Sequence, residues 1–185
     1  MFSISQLKAN LKIVRPNLFY VDIIPPVFLS DYGLGSFGDA EKFSYRCEVA
    51  ELPGRTIATT DDMSFGPTAK LAYDVTYNDI NLQIIASEDM KERKLFEDWM
   101  DRIVTPTSLN SSEFKGGLIK YYSDYASGLF RIRQLNDKGT VLAKYTLYNA
   151  YPIQLSPMNL SWGETDTYQR FAVTLSYRYH TAEFT

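Results

Sequence analysis

Cys47 is the only cysteine and His180 the only histidine in the 185 residues. Together they would form a nucleophile–base dyad, which requires the two side chains to touch. The surrounding pattern argues against contact. Phe43, Tyr45, Cys47 and Val49 alternate with Ser44, Arg46 and Glu48, so Cys47 falls on the apolar parity of a strand and reads as a small buried hydrophobe. His180 ends the last strand-like stretch. One Cys and one His also fall short of a zinc shell. Asp61-Asp62 and Glu164 with Asp166 are the acidic clusters. Paired carboxylates hold Ca²⁺ or exchange protons, but both clusters sit in turn-like stretches, where Asp serves local hydrogen bonding. Gly33-Leu34-Gly35 lacks the third glycine and the following helix of a dinucleotide loop. Arg131 and Arg133 share one face of a strand, with Lys144 on the next. Such a patch can touch phosphate, yet in a chain of net charge −3 it reads as an exposed sheet face. Trp99 reads as core, and Trp162, before a glycine turn, as either core or contact. No catalytic residue, cofactor site or metal site is expected.

The elements that would position these residues are mostly strands. The chain is 45% apolar, with 14 Tyr and 11 Phe, a composition that favours β structure. The acidic balance argues against a broad basic surface that grips nucleic acid. A lone cysteine allows no intrachain disulfide and fits a reducing compartment. Met1–Ile13 lacks the layout of a signal peptide, and no apolar run approaches the roughly 20 residues of a membrane helix. A soluble, non-secreted protein is expected.

The one long helix is expected over 88–104. Ser87 is placed as its N-cap and Glu88 and Asp89 in its first turn, where carboxylates suit the helix dipole. Leu95, Phe96, Trp99, Met100 and Ile103 form its apolar face, and Thr105-Pro106 ends it. Ile80, Leu82 and Ile84 alternate in the strand before it. Further strands are expected over 18–24, 43–49, 118–122 and 158–162, with an irregular link over 150–157. The stretches 129–135 and 140–148 form a hairpin through Asn136–Gly139. Tyr168–His180 reads as a single thirteen-residue strand, long enough to be central. The stretch 53–75 reads as a long, weakly apolar hairpin, the kind of edge a partner would cover. Ser3–Ile13 reads as a short helix with Ile4, Leu7 and Leu11 on one side, too short to hold alone, docking on its own domain or on a neighbour. No domain boundary or repeat is visible. One domain spans 1–185, with an N-terminal arm (1–15), the hairpin (53–75) and the helix (88–104).

Four segments in order resemble the tail tube proteins of contractile-tailed bacteriophages. They are Arg15-Pro16-Asn17-Leu18-Phe19 leading into a strand, Cys47–Pro53 ending Ala50-Glu51-Leu52-Pro53, Tyr77–Trp99 with Phe96-Glu97-Asp98-Trp99, and Leu160-Ser161-Trp162 through Phe171-Ala172-Val173-Thr174-Leu175-Ser176-Tyr177. The loops 25–42 and 105–117 look longer than the family pattern. The resemblance implies a mainly β fold, an antiparallel β-sandwich or barrel with one flanking helix and a long hairpin. It implies a non-enzymatic virion protein, assembled in the host cytoplasm. Six copies would form a ring, and rings would stack into the inner tube of the tail. The sheath and baseplate would be partners, and genomic DNA would pass through the lumen without specific binding. Inter-subunit contacts are then expected at Ile4, Leu7, Leu11, Arg55, Thr59, Asp61, Asp62, Met63 and Phe65. A baseplate tube-initiator or injection-system tube protein shares the same core and stays open as an alternative, as does a monomeric β-sandwich binding module.

Overall fold

The computed structural model describes residues 14–24, 26, 29, 46–63, 66–104, 119–126, 128–163 and 165–185. Strands β1 (Phe19–Ile24), β2 (Cys47–Ala50), β5 (Ile80–Ile85), β6 (Gly128–Leu135), β7 (Val141–Leu155), β8 (Arg170–Ser176) and β9 (Tyr179–Phe184) build one seven-stranded antiparallel sheet. Strands β3 (Arg55–Asp62) and β4 (Ala69–Tyr77) form a separate two-stranded ribbon. Helix α1 runs Lys91–Ile103, and a single helical turn, α2, runs Tyr122–Tyr125.

The large sheet folds over along β7. The first half of β7 lies between β6 and β9, and β6 pairs with β1. The second half pairs with β8, which continues to β5 and β2. Two four-stranded leaves therefore share one strand, β1-β6-β7-β9 and β7-β8-β5-β2. The corner falls at Asn149, whose backbone is left-handed with φ 56°. Asparagine reaches that region more readily than most residues. Across the corner, Arg178 N–H donates to the Tyr148 carbonyl at 3.1 Å. A strand that changes sheets by bending is how such corners are made.

The inward faces meet in one core: Val21, Ile23, Phe130, Ile132 and Leu147 from the first leaf, and Leu82, Ile84, Phe171, Val173 and Leu175 from the second. Helix α1 packs against both leaves. The Trp99 ring stacks on Phe130 at 6.2 Å, and Phe96 meets Phe171 edge-on at 6.4 Å. The expected apolar stripe holds: Leu95, Phe96 and Trp99 are buried, with Met100 and Ile103 half-buried.

Several local expectations are corrected. The helix begins at Lys91, after a left-handed Met90. Ser87 does not cap it. Its hydroxyl donates at 2.6 Å to Glu92, which is buried and ion-paired with Arg46. Glu88 and Asp89 form the turn that precedes the helix. The link 150–157 is for the most part strand, the second half of β7. Tyr168–His180 is two strands, because the chain breaks at Tyr177-Arg178 opposite Asn149 and the side-chain parity changes there. The stretch 158–162 makes no ladder, and in 118–122 only an isolated bridge, Ile119 to Val104, is present among the described residues. Finally, a register shift between Cys47 and Val49 buries the first and leaves the second exposed. The hairpin over β6 and β7 is as expected: Asn136 Oδ1 accepts from Lys138 N–H and Thr140 N–H, and Gly139 adopts φ 77°.

Candidate assembly surface

The Cys47 thiol is buried and donates to the Val49 carbonyl at 3.4 Å. Burial pushes it up from 9.0 to about 12, so it is a protonated, unreactive group at neutral pH. His180 lies elsewhere, with Tyr77, Tyr145 and Tyr177 as its ring neighbours. The dyad geometry does not arise. Among the described residues no group of three or more His, Cys, Asp or Glu is placed to hold a metal. No helix among them is long and apolar enough to cross a membrane.

What the described residues present instead is exposed apolar surface and open strand edges. Among them β3 and β4 pair only with each other. Asp61 and Asp62 lie in β3, paired with Lys70 and Ala69, and not in a turn. The ribbon carries Ile57 (54% exposed), Leu71 (49%), Tyr73 (71%) and Val75 (43%). Ile57 faces Val75 across the ladder on one side of the ribbon, and Leu71 faces Thr60 on the other. The register shift between Ala58 and Thr59 leaves Tyr73 unmatched between them. A hairpin with large apolar residues open on both sides is marginal by itself.

Of the expected contact residues, Arg55, Thr59 and Asp61 share the side of Ile57 and Val75, Asp62 lies with Leu71, and Met63 follows at the end of β3, exposed. Ile4, Leu7, Leu11 and Phe65 lie outside the described residues. Leu71, Tyr73 and Val75 of β4 fall inside the expected 53–75 hairpin but are not among the contact residues singled out from the sequence. Their signal was present: three large residues spaced by two in a stretch with no second sheet to cover it.

The ribbon is anchored at its base. Asn78 N–H donates to the Gly54 carbonyl at 3.4 Å, as does the Tyr177 hydroxyl. Tyr77 packs on Tyr177 and His180, with centroids at 6.0 and 5.3 Å. Desolvation, followed by repulsion from Asp79 and Tyr77, pushes the Tyr177 hydroxyl up to about 12.

The first leaf ends in two edges, β1 and β9, whose outer sides carry no ladder among the described residues. Its outward face is ordered by cross-strand register, polar over two rows and aromatic at the next, where Tyr148 stacks on Tyr179. One row runs Asp22, Arg131, Thr146, Thr181, and the next runs Tyr20, Arg133, Lys144, Glu183. Asp22 pairs with Arg133, and Lys144 with Glu183 at 3.0 Å. The basic patch read from the sequence is thus interleaved with carboxylates. Trp162 is fully exposed and, with Leu160, Met158 and Met90, lines an open cleft of about 680 Å³ beside the start of α1. That places Trp162 outside the core.

A family model described as phage tail tube protein matches residues 14–183. The tail tube protein gp19 of Enterobacteria phage T4 is 25% identical over 166 residues, 89% of each chain. Among solved structures, a chain of the six-fold symmetrised anti-feeding prophage baseplate matches with a TM-score of 0.63 at 13% identity, covering 94% of this chain and 97% of that one. A chain of the sheath–tube complex of an extracellular contractile injection system, in its extended state, matches with a TM-score of 0.61 at 17% identity over the whole of both. These two likenesses establish the fold, and the family model covers nearly all of the strands, the helix and the ribbon just described. The chain belongs to the phage tail tube protein family and is a structural protein of the virion tail.

Proposed function

We propose that this chain is the inner tube subunit of a contractile tail, with six copies closing into a ring and rings stacking into a conduit for DNA. The observation that carries the reading is the β3–β4 ribbon, whose large apolar residues are exposed on a pair of strands that no sheet supports among the described residues. A neighbouring copy would cover them. Contacts between stacked rings are heterologous, and heterologous contacts build open-ended filaments.

Ring closure has a route in the first leaf. Its strands alternate in direction from β1 through β6 and β7 to β9, so β9 runs opposite to β1. Under rotation about an axis that preserves strand direction, the β1 edge of one copy would meet the β9 edge of the next in antiparallel register. At about 4.8 Å per strand, six copies of four strands would make a wall roughly 37 Å across. The second leaf and α1 lie on the inward side of the sandwich, so the outward face is the one left to line a water-filled channel. Its Asp22–Arg133 and Lys144–Glu183 pairs neutralise two of its cations locally, which weakens the hold on passing phosphates. The sheath and baseplate are the proposed partners, with Met1–Ile13 and 53–75 as inter-subunit segments. The role is structural, without catalysis or cofactor.

Negative-stain microscopy of the purified protein across a concentration series tests this. Hollow tubes or stacked rings are expected. Single rings only would move the chain to a baseplate position. Monomers at every concentration, with tail fragments as seeds, would overturn the assembly reading.

A further inference from the structure

We propose that the base of the β3–β4 ribbon is an acid-sensitive hinge, held closed by neutral His180 and loosened when His180 takes a proton. His180 lies on β9 in register with Leu147, on the side of the sheet that faces the core. Tyr77, the last residue of β4, meets it edge-on at 5.3 Å, Tyr177 at 6.0 Å and Tyr145 of β7 at 6.4 Å. Its Nδ1 is buried and has no hydrogen-bond partner. A proton there gains no acceptor and loses water, so the cage favours the neutral ring.

A charged group at the root of the ribbon acts in the same direction. Arg55, the first residue of β3, is near enough to oppose a positive His180, and desolvation opposes it more strongly. Asp79 acts on Tyr177, and Glu183, on the same strand as His180, is engaged by Lys144 on the opposite face. Arg55 and Tyr77 are cross-strand partners at the root of the ribbon. A positive His180 would therefore repel the root of one strand and carry a proton on Nδ1 with no acceptor beside the end of the other.

The sign follows from linkage. A histidine whose folded value is lowered supports the closed form above its ordinary value near 6.5, and that support is lost as pH falls through the lowered value. The hinge does not need the chain to assemble. Its consequence for stacking, weaker ring-to-ring contact in acid, rests on the tube reading above.

The test separates the two. Cys47 is buried and inert, so spin labels can be placed on Met63→Cys and Asp137→Cys of the full chain, one on the ribbon and one on the body, and their distance read by pulsed electron resonance at about pH 7.5 and about pH 5. A distribution that broadens or shifts in acid in the wild-type background, but stays fixed in His180→Phe, is the expected result. His180→Gln serves as a second variant if the Phe form folds poorly. The ring carbons of this sole histidine, followed by NMR, should titrate below the ordinary range. An unchanged distribution in acid, an equal change in the His180 variants, or an ordinary titration would each overturn the hinge. Absence of tubes by microscopy with the distance change intact would overturn the stacking reading and leave the hinge standing.

Discussion

Gly128 lies directly beneath the indole of Trp99. A Cβ at position 128 would stand 2.4 Å from Trp99 Cη2 and 2.5 Å from the Ala150 carbonyl oxygen. The same indole donates from Nε1 to the Tyr125 carbonyl at 3.2 Å. The helix, the α2 turn and the β6–β7 ladder therefore meet at a point where only hydrogen fits. Gly128→Ala should cost about 3 kcal/mol, at the upper end for an overpacked core, because one of the clashing atoms is backbone and cannot rotate away. Urea unfolding of the two proteins checks it, and equal midpoints would show that the helix can lift without cost.

Trp99→Phe keeps most of the stacking on Phe130 and loses the bond to Tyr125. A loss of about 2 kcal/mol is expected, with Trp99→Ala costing roughly 4 kcal/mol. Urea unfolding of the three proteins checks the order.

Cys47 should resist a water-soluble thiol reagent at pH 8 in the native state and react at once in denaturant. Its raised ionisation also has a stability signature. Below 9.0 the thiol is neutral folded and unfolded, and above that value the unfolded chain ionises first. Wild type should therefore lose stability relative to Cys47→Ala as pH rises from about 9 towards about 12. Parallel pH dependence of the two proteins would contradict the burial.

On the ribbon, Leu71→Asp and Tyr73→Asp should leave the folding midpoint of the isolated chain within about 0.5 kcal/mol, since both side chains are open to water. Tube or ring formation should be lost. Thr59→Asp, close by on the more polar stretch, should have a smaller effect. Loss of folding in the Leu71 variant would instead mean that the ribbon covers its own body.

Glu92→Ala removes the acceptor of Ser87 and the partner of Arg46 together. A cost of about 2 kcal/mol is expected, with the start of α1 fraying first by hydrogen exchange.

Where alternation had one physical cause, the fold was readable from residue types. Ile80, Leu82 and Ile84 have one buried face, and Leu95, Phe96 and Trp99 one helical stripe, so period alone located them. The corner was not readable in that way. Tyr177 and Tyr179 continue an apparent alternation through a break, because both are large aromatics although one is buried and the other exposed. Ser87 looked like a cap because its type and position suited one, but its hydroxyl was claimed by Glu92 from within the helix. The candidate assembly surface was half legible. A weakly apolar hairpin was visible as something a partner should cover, while the side on which each residue lies depends on the register shift at Ala58 and Thr59, which leaves no mark in composition.

The strand shared by both leaves has a mechanical consequence. In most sandwiches the two layers adhere only through side chains, and a shearing load can slide them apart. Here fifteen consecutive residues, Val141–Leu155, run from one layer into the other. Tension applied to either layer travels along covalent backbone and is resisted by β6 and β9 along the first half of β7 and by β8 along the second, so the body should deform as one stiff block and leave the ribbon as the compliant part.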